Sequence, residues 1–177
     1  MGNESTMQFI ANERGKEQLV IDNAKLKFHN FAGAQTEFNV KGNRNIDVIL
    51  PDSNMAVEMS RKGWNVKIRQ PRGNEEEPYY TLNIKINMDS KWPPKIFQVN
   101  RKRQIQYDAE MLNGLDDMNI TDIGLVINGS AWENERFGKG IKAYLDQMYF
   151  RLAPNVFGSK YDVDVDNSAD ADEDVPF

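Results

Sequence analysis

The chain has no cysteine, a single histidine and no long apolar run. Without Cys there is no disulfide framework, no thiolate zinc site and no Cys nucleophile, which fits a reducing cytoplasm. No stretch approaches the roughly eighteen apolar residues of a membrane helix, so no membrane partner is expected. The N-terminal MGNESTMQF lacks a basic segment followed by an apolar one, so no secretory signal is expected. His29 is the one candidate imidazole base, and no nucleophile is arranged around it in sequence. Gly138-Lys139-Gly140 lacks the spacing and the Lys-Ser/Thr of a phosphate loop. The run DVDVD at 162–166 lacks the glycine that a calcium loop places sixth. The carboxylate groups Asp116-Asp117 and Glu75-Glu76-Glu77 sit in loop-like sequence and read as solvated. No enzyme, cofactor or metal is expected.

What is present is an uneven distribution of charge. The whole chain has 22 basic and 27 acidic side chains, net −5. Its last sixteen residues, DVDVDNSADADEDVPF, hold seven carboxylates (Asp162, Asp164, Asp166, Asp170, Asp172, Glu173, Asp174) and no Lys or Arg. Residues 1–161 therefore carry 22 basic against 20 acidic groups, net +2. A mildly basic body with an acidic appendix points to an interaction tail and a nucleic-acid-binding body. The tail closes on Val175-Pro176-Phe177. A purely solubilising tail needs no terminal aromatic. Phe177 offers a ring and an α-carboxylate together, which an apolar pocket rimmed by Lys and Arg can hold.

Along the chain, residues 1–18 read as a loose arm, 19–157 as one folded domain and 158–177 as a flexible, disordered acidic tail. From Leu19 onward the patterning is β, with Leu26 and Phe28 alternating against charged neighbours. Phe31 to Ala34 reads as a turn, Phe38-Asn39-Val40 as a short strand, 41–45 as a hairpin loop and Ile46 to Leu50 as the strand back. Pro51-Asp52-Ser53 opens a short helix that places Met55, Ala56 and Met59 on one face and ends at Gly63. The clearest hairpin pairs Trp64–Arg69 with Tyr80–Met88 across a polar loop at 70–78. Parity sends Trp64, Val66, Ile68, Tyr80, Leu82, Ile84, Ile86 and Met88 to the core. The opposite face of that hairpin carries Lys67, Arg69, Lys85 and Tyr79 and no carboxylate.

Pro93-Pro94 stiffens a basic, aromatic loop around Lys91, Trp92 and Lys95. Ile96–Val99 and Gln104–Tyr107 read as strands joined through Asn100-Arg101-Lys102-Arg103. Asp108 to Leu112 reads as a helical turn, Ile120 to Asn128 as a strand, and 129–139 as a loop holding Trp132 and Phe137. Residues 141–152 fit both a helical stripe and strand alternation; Gly138, Gly140 and the β neighbours favour strand. Seven or eight short strands with one or two small helices leave a small barrel or a sandwich.

Eleven of the 22 cations fall between positions 61 and 103: Arg61, Lys62, Lys67, Arg69, Arg72, Lys85, Lys91, Lys95, Arg101, Lys102 and Arg103. Aromatics interleave with them. Trp64 and Tyr80 belong to the core by parity, whereas Tyr79, Trp92 and Trp132 are the candidate platforms. Cations that follow phosphates and rings that stack on bases are the two requirements of a single-strand binder. A competing reading is a DNA mimic or inhibitor that acts on a host enzyme through its acidic tail and needs no basic groove.

The end DEDVPF resembles the tip of bacterial single-stranded DNA-binding proteins. The body resembles the larger OB-fold single-stranded DNA-binding proteins of bacteriophages, through Lys62-Gly63-Trp64-Asn65-Val66-Lys67, the hairpin at Tyr79-Tyr80 and GKGIKAYL at 138–145. That resemblance implies a mainly β fold: an OB-fold-like five-stranded barrel with extra hairpins and one or two short helices. It implies sequence-independent binding and protection of single-stranded DNA in replication, recombination and repair, in a bacterial host cytoplasm. It implies that Asp172, Glu173, Asp174, Val175, Pro176 and Phe177 recruit replication or recombination proteins. Glu173 within the acidic run and Val175 in place of the usual Ile or Leu are departures that keep the charge-plus-Phe logic. A homo-oligomer is left open.

Overall fold

The computed structural model describes residues 4–70 and 77–154. The fold is mainly β. In chain order the strands are β1 (Thr6–Ala11), β2 (Glu17–Asp22), β3 (Lys25–Asn30), β4 (Asn45–Ile49), β5 (Val66–Arg69), β6 (Tyr79–Lys85), β7 (Lys95–Val99), β8 (Gln104–Tyr107), β9 (Ile120–Asn134) and β10 (Gly138–Leu152). Helix α1 (Ser53–Arg61) lies between β4 and β5, and the single turn α2 (Ala109–Leu112) follows β8. The strands form one sheet in the order β1-β2-β9-β10-β6-β4-β3, with β5 on β6 and the β7–β8 hairpin on β10. The sheet curls in the manner of an OB-like fold but does not close.

Alternation puts Leu19 and Ile21 of β2, Leu82 and Ile84 of β6, and Leu125 and Ile127 of β9 in one core with Phe31 and Phe150. Helix α1 plugs that core with Ala56 and Met59. Its first turn is capped by the Asp52 carboxylate, which accepts from the Met55 N–H, and Gly63 at φ 106° ends it.

Strand β10 holds the sheet together. One edge pairs with β9 along nearly its whole length. The other edge takes, in succession, a bridge from Trp64 at Ile141, β6 at Ala143–Tyr144 and β7 at Gln147–Phe150. Between Leu145 and Gln147 the register slips by one residue, so Asp146 is a bulge. The core set changes parity there, from Ala143 and Leu145 to Met148 and Phe150. A second slip, between Tyr149 and Arg151, falls where Asp122 of β9 adopts φ 51°.

Three expectations are corrected. The loose arm at 1–18 contains strand β1 and the start of β2. They are joined by a turn in which Asn12 Oδ1 accepts from the Arg14 and Lys16 N–H groups. Met7 is buried, and the Phe9 ring packs on Trp64 at 6.0 Å, a partner so distant in sequence that local pattern cannot show it. Residues 38–40 are not a strand. They belong to a loop in which Thr36 and Asn39 exchange backbone hydrogen bonds. The expected loop at 129–139 is mostly hairpin, since β9 runs to Asn134 and β10 starts at Gly138. The expected tail at 158–177 lies outside the described residues.

The β3–β4 connection is fixed by buried polar groups. Asn39 Nδ2 donates to the carbonyls of Ala34, Val40 and Asn43, while its Oδ1 accepts from Asn43 and Asn45. Nearby, Asp116 accepts from the Phe31 and Ala32 N–H groups at 2.9 and 3.0 Å and contacts His29 Nδ1 at 2.7 Å. Burial alone would raise the Asp116 carboxyl, but the two backbone donors and His29 outweigh it and hold it below its ordinary 3.8. A depressed carboxylate stabilises the fold above its unfolded value, and that contribution disappears as pH falls through the lowered folded value. Asp116→Asn should therefore cost on the order of 1.5–3 kcal/mol near neutral pH, the usual range for hydrogen bonds to a charged group. The difference from wild type should shrink below about pH 4, where the unfolded carboxyl protonates. Urea unfolding at several pH values checks this; a difference that does not change with pH would refute the assignment.

Candidate nucleic-acid interface

The outer face of the sheet carries the candidate site, beginning at the β9–β10 hairpin. Asn134 Oδ1 accepts from the Arg136 and Phe137 N–H groups at 2.7 and 3.2 Å, and Gly138 at φ 94° completes the turn. Phe137 stands at the tip, 73% exposed, with the Arg136 guanidinium 5.4 Å from its ring centre. Two pairs down from Asn134 and Gly138, Trp132 faces Gly140 across the ladder. A Cβ on Gly140 would meet the indole at 2.9 Å, so the ring lies flat against bare backbone. Ser130 then faces Lys142, whose ammonium sits 5.7 Å from the Tyr144 ring centre. Ser130, Trp132, Asn134, Phe137, Lys142 and Tyr144 line one cleft.

A second hollow adjoins it. Parallel pairing of β10 with β6 sets Tyr144 beside Lys85. Lys85, Asn83 and Lys142 face residues 40–43 of the β3–β4 loop, including Lys41. Lys142 lines both hollows, so they adjoin, with aromatic rings on one side of that lysine and cations on the other. Among the described residues no carboxylate lies within ion-pair distance of Lys41, Lys85 or Lys142.

Further across the sheet the expected carboxylate-free face is corrected. Asp47 of β4 pairs in register with Asn83 and accepts its Nδ2 hydrogen bond at 2.6 Å. The same carboxylate lies 3.4 Å from the Arg69 guanidinium, and Arg69 Nε also donates to Thr81 Oγ1 at 3.1 Å. Arg69 is thus held by the sheet, because the hairpin's neighbour β4, invisible in local parity, brings an acid to that face. Ile68, expected in the core, is 58% exposed; β5 is only four residues long, and none of the described residues covers its end. Trp64 is buried as parity requires, and Tyr80 packs against the core from a half-buried position.

The other sequence-predicted residues spread out. Lys67 is exposed on β5, and Tyr79 is half-buried with the Lys27 ammonium 5.8 Å from its ring centre. Arg61, 3.5 Å from Glu58, and Lys62 end α1. Trp92 is 82% exposed in the β6–β7 loop, with Lys91 at 5.9 Å. Lys95 opens β7, and Arg101, Lys102 and Arg103 form the β7–β8 turn. β7 runs parallel to β10 from Gln147 to Phe150, so this turn lies beyond the far end of that pairing. At about 3.3 Å per residue the end of that pairing is already roughly 25 Å from Lys142 along the strand, and the turn lies beyond it. The single cluster expected from sequence is therefore two groups at opposite ends of β10. Trp132 sits on a strand, not in a loop. Arg72 and the tip residues Asp172 to Phe177 lie outside the described residues.

Sequence reasoning missed Lys41, Lys142 and Tyr144. The signal for the last two was present: in Ile141–Leu145 they hold the parity opposite to Ala143 and Leu145. Lys41 had no local signal, because its place depends on the asparagine network. Among the described residues no three His, Cys, Asp or Glu side chains converge as a metal site.

A family model described as a putative phage ssDNA-binding domain matches residues 9–175. No curated protein is similar enough in sequence to match. Among solved structures, the single-stranded DNA-binding protein of bacteriophage Enc34 in complex with ssDNA superposes with a TM-score of 0.51 at 14% identity, covering 89% of this chain and 95% of that one. A C-terminal truncation of the same phage protein gives 0.52 at 13% identity, covering 86% and 92%. At these identities the likeness shows a shared fold.

The close approach of Trp132 to Gly140 gives a direct test. Gly140→Ala should push the indole off the strand, shifting its emission while costing less than about 1.5 kcal/mol, because the site is at the surface. Emission spectra of Gly140→Ala with and without Trp132→Phe isolate the change; identical Trp132 emission in both backbones would refute the packing.

Proposed function

The chain belongs to the phage single-stranded DNA-binding family, and from that premise we propose that the groove through Lys142 is where the DNA strand lies. The observation that carries this reading is the sharing of Lys142: the same lysine lines the ring-lined cleft of Trp132, Phe137 and Tyr144 and the hollow of Lys85 and Lys41. Rings stack on bases of any identity and lysines neutralise phosphates without reading sequence, so the mode is sequence-independent. Tyr79, Lys67 and Trp92 extend the binding surface on either side. The strand so covered is protected during replication, recombination and repair.

The acidic tail has two roles in this reading. Its tip, Asp172 to Phe177, docks on replication or recombination proteins. Its seven carboxylates compete with DNA for the basic groove at the effective concentration set by the tether. The support is charge asymmetry between tail and body. Family membership favours this reading over a DNA mimic, which would need no groove.

Lys85→Glu combined with Lys142→Glu should weaken binding of a labelled oligo-dT. It should also flatten the salt dependence, by about 0.7 in log–log slope for each phosphate that is no longer neutralised. Fluorescence anisotropy at several salt concentrations measures both, and an unchanged affinity and slope would remove the groove from the mechanism. Deleting residues 162–177 should tighten oligo-dT binding at low salt, with the gain fading as salt screens the competition. Equal or weaker binding by the truncated protein at low salt would rule out the competing tail.

A further inference from the structure

The β3–β4 loop presents a side chain that the fold does not use. Phe38 is 92% exposed and Val40 77% exposed. Isolated exposed apolar residues are ordinary, but these stand on a loop built to hold them still. Thr36 and Asn39 exchange backbone hydrogen bonds at 2.9 and 3.3 Å, which puts Glu37 and Phe38 on the corners of a tight turn. Thr36 Oγ1 accepts from the Phe38 N–H at 3.1 Å. Beneath the turn, the 8% exposed Asn39 side chain holds three loop carbonyls. At the loop's neck the Gly42 N–H donates to the Gly33 carbonyl at 2.7 Å. A Cβ on Gly33 would come within 3.0 Å of Gly42, so glycine at 33 (φ 68°) is what lets the two sides of the neck close.

The continuation of this loop, Val40 to Asn43, forms one wall of the groove that contains Lys85 and Lys142. We propose that Phe38 is a base-stacking platform at the loop end of that groove, taking a nucleobase of the strand whose phosphates lie along Lys41, Lys85 and Lys142. The inference rests on the groove reading above and assigns it a further binding residue. Glu37 on the adjoining corner makes the tip a poor partner for phosphate, so the ring is what the tip offers. The loop's hydrogen bonds fix the backbone that carries the ring before DNA arrives, which reduces the ordering cost of binding. The strand then lies between two aromatic ends, Phe38 on the loop and Trp132–Phe137 on the hairpin, with the lysines between them.

Phe38→Ala and Phe38→Trp test the assignment in the full chain, with oligo-dT long enough for one copy only. The ring touches nothing in the core, so neither variant should alter the unfolding midpoint. Phe38→Ala should weaken binding about 5- to 150-fold, the range for removing one stack, with the salt slope unchanged. Phe38→Trp should retain affinity and show added tryptophan quenching on titration. Wild-type affinity of Phe38→Ala for the short oligonucleotide overturns the proposal. If its defect appears only on long DNA, the ring touches a second copy of the chain, and the proposal is equally overturned. The Lys85→Glu/Lys142→Glu variant in the same assay separates the failures: if it is impaired while Phe38→Ala is not, the groove stands without this platform. If neither is impaired, the groove reading itself fails.

Discussion

The structure depends on the two edges of β10. A strand normally satisfies its backbone by pairing with one neighbour on each side. Here one edge is committed to β9, and the other is shared among Trp64, β6 and β7. The bulge at Asp146 makes the sharing workable. It lies between the β6 and β7 pairings, where the sheet must change direction, and bulges bend and twist the strand that carries them. The Gln18 side chain bonds both Asp146 and Asn128, tying the bulge to β2 on the outer face. While β10 advances from Tyr144 to Gln147, the chain on its other edge must travel from Lys85 to Lys95. The excess has to leave the sheet as a loop, and that loop carries Trp92.

The same strand decides what the outer face can be. Upstream of the bulge its outward residues are Lys142 and Tyr144, next to Lys85 and in line with Trp132. Among the described residues the lysines there have no acid at ion-pair distance, while nearby carboxylates of that face have other partners: Asp47 faces Arg69 and Asn83, and Asp146 faces Gln18. Such pairs contribute little stability at a surface. Their effect is on the field, since a carboxylate already matched to a guanidinium subtracts less from the potential over neighbouring lysines.

Much of this is legible in the sequence, and the failures are instructive. Period-two alternation identifies β6, β7, β8 and the first half of β9, and the Asp52 cap marks α1. Residues 141–152 look half helical for a physical reason. Two alternating sets of opposite parity, joined by one bulged residue, place apolar side chains at 141, 145, 148 and 152, spacings of four and three, which is also a helical stripe. β1 is hidden because Phe9 and Met7 owe their burial to Trp64 and to β2, not to their own neighbours. The aromatic hairpin reads as a loop because Gly129 and the polar residues that follow it look like turn sequence. Gly129 and Gly140 are instead small so that rings can lie over them: Trp64 on Gly129 and Trp132 on Gly140. The basic residues look like one patch only because proximity in sequence stands in for proximity in space.

That last point bears on how such a body can hold a charged polymer with a net charge of only +2 outside its tail. The two cation groups are separated by roughly 25 Å or more along β10, about three screening lengths at physiological salt. At such a separation each adds little to the other's field. A strand gripped at the Lys142 end feels Lys41, Lys85 and Lys142 there, and the Arg101–Arg103 turn adds to its binding only if the strand extends that far. On the proposed reading, rings supply a large part of the affinity where cations are few. Trp132 and Phe137 share a cleft with Lys142, Phe38 stands exposed on the loop that carries Lys41, and Trp92 stands on the loop between the two groups. Net charge is the least informative number about the proposed site, because that site is defined by which lysines have no acid beside them among the described residues.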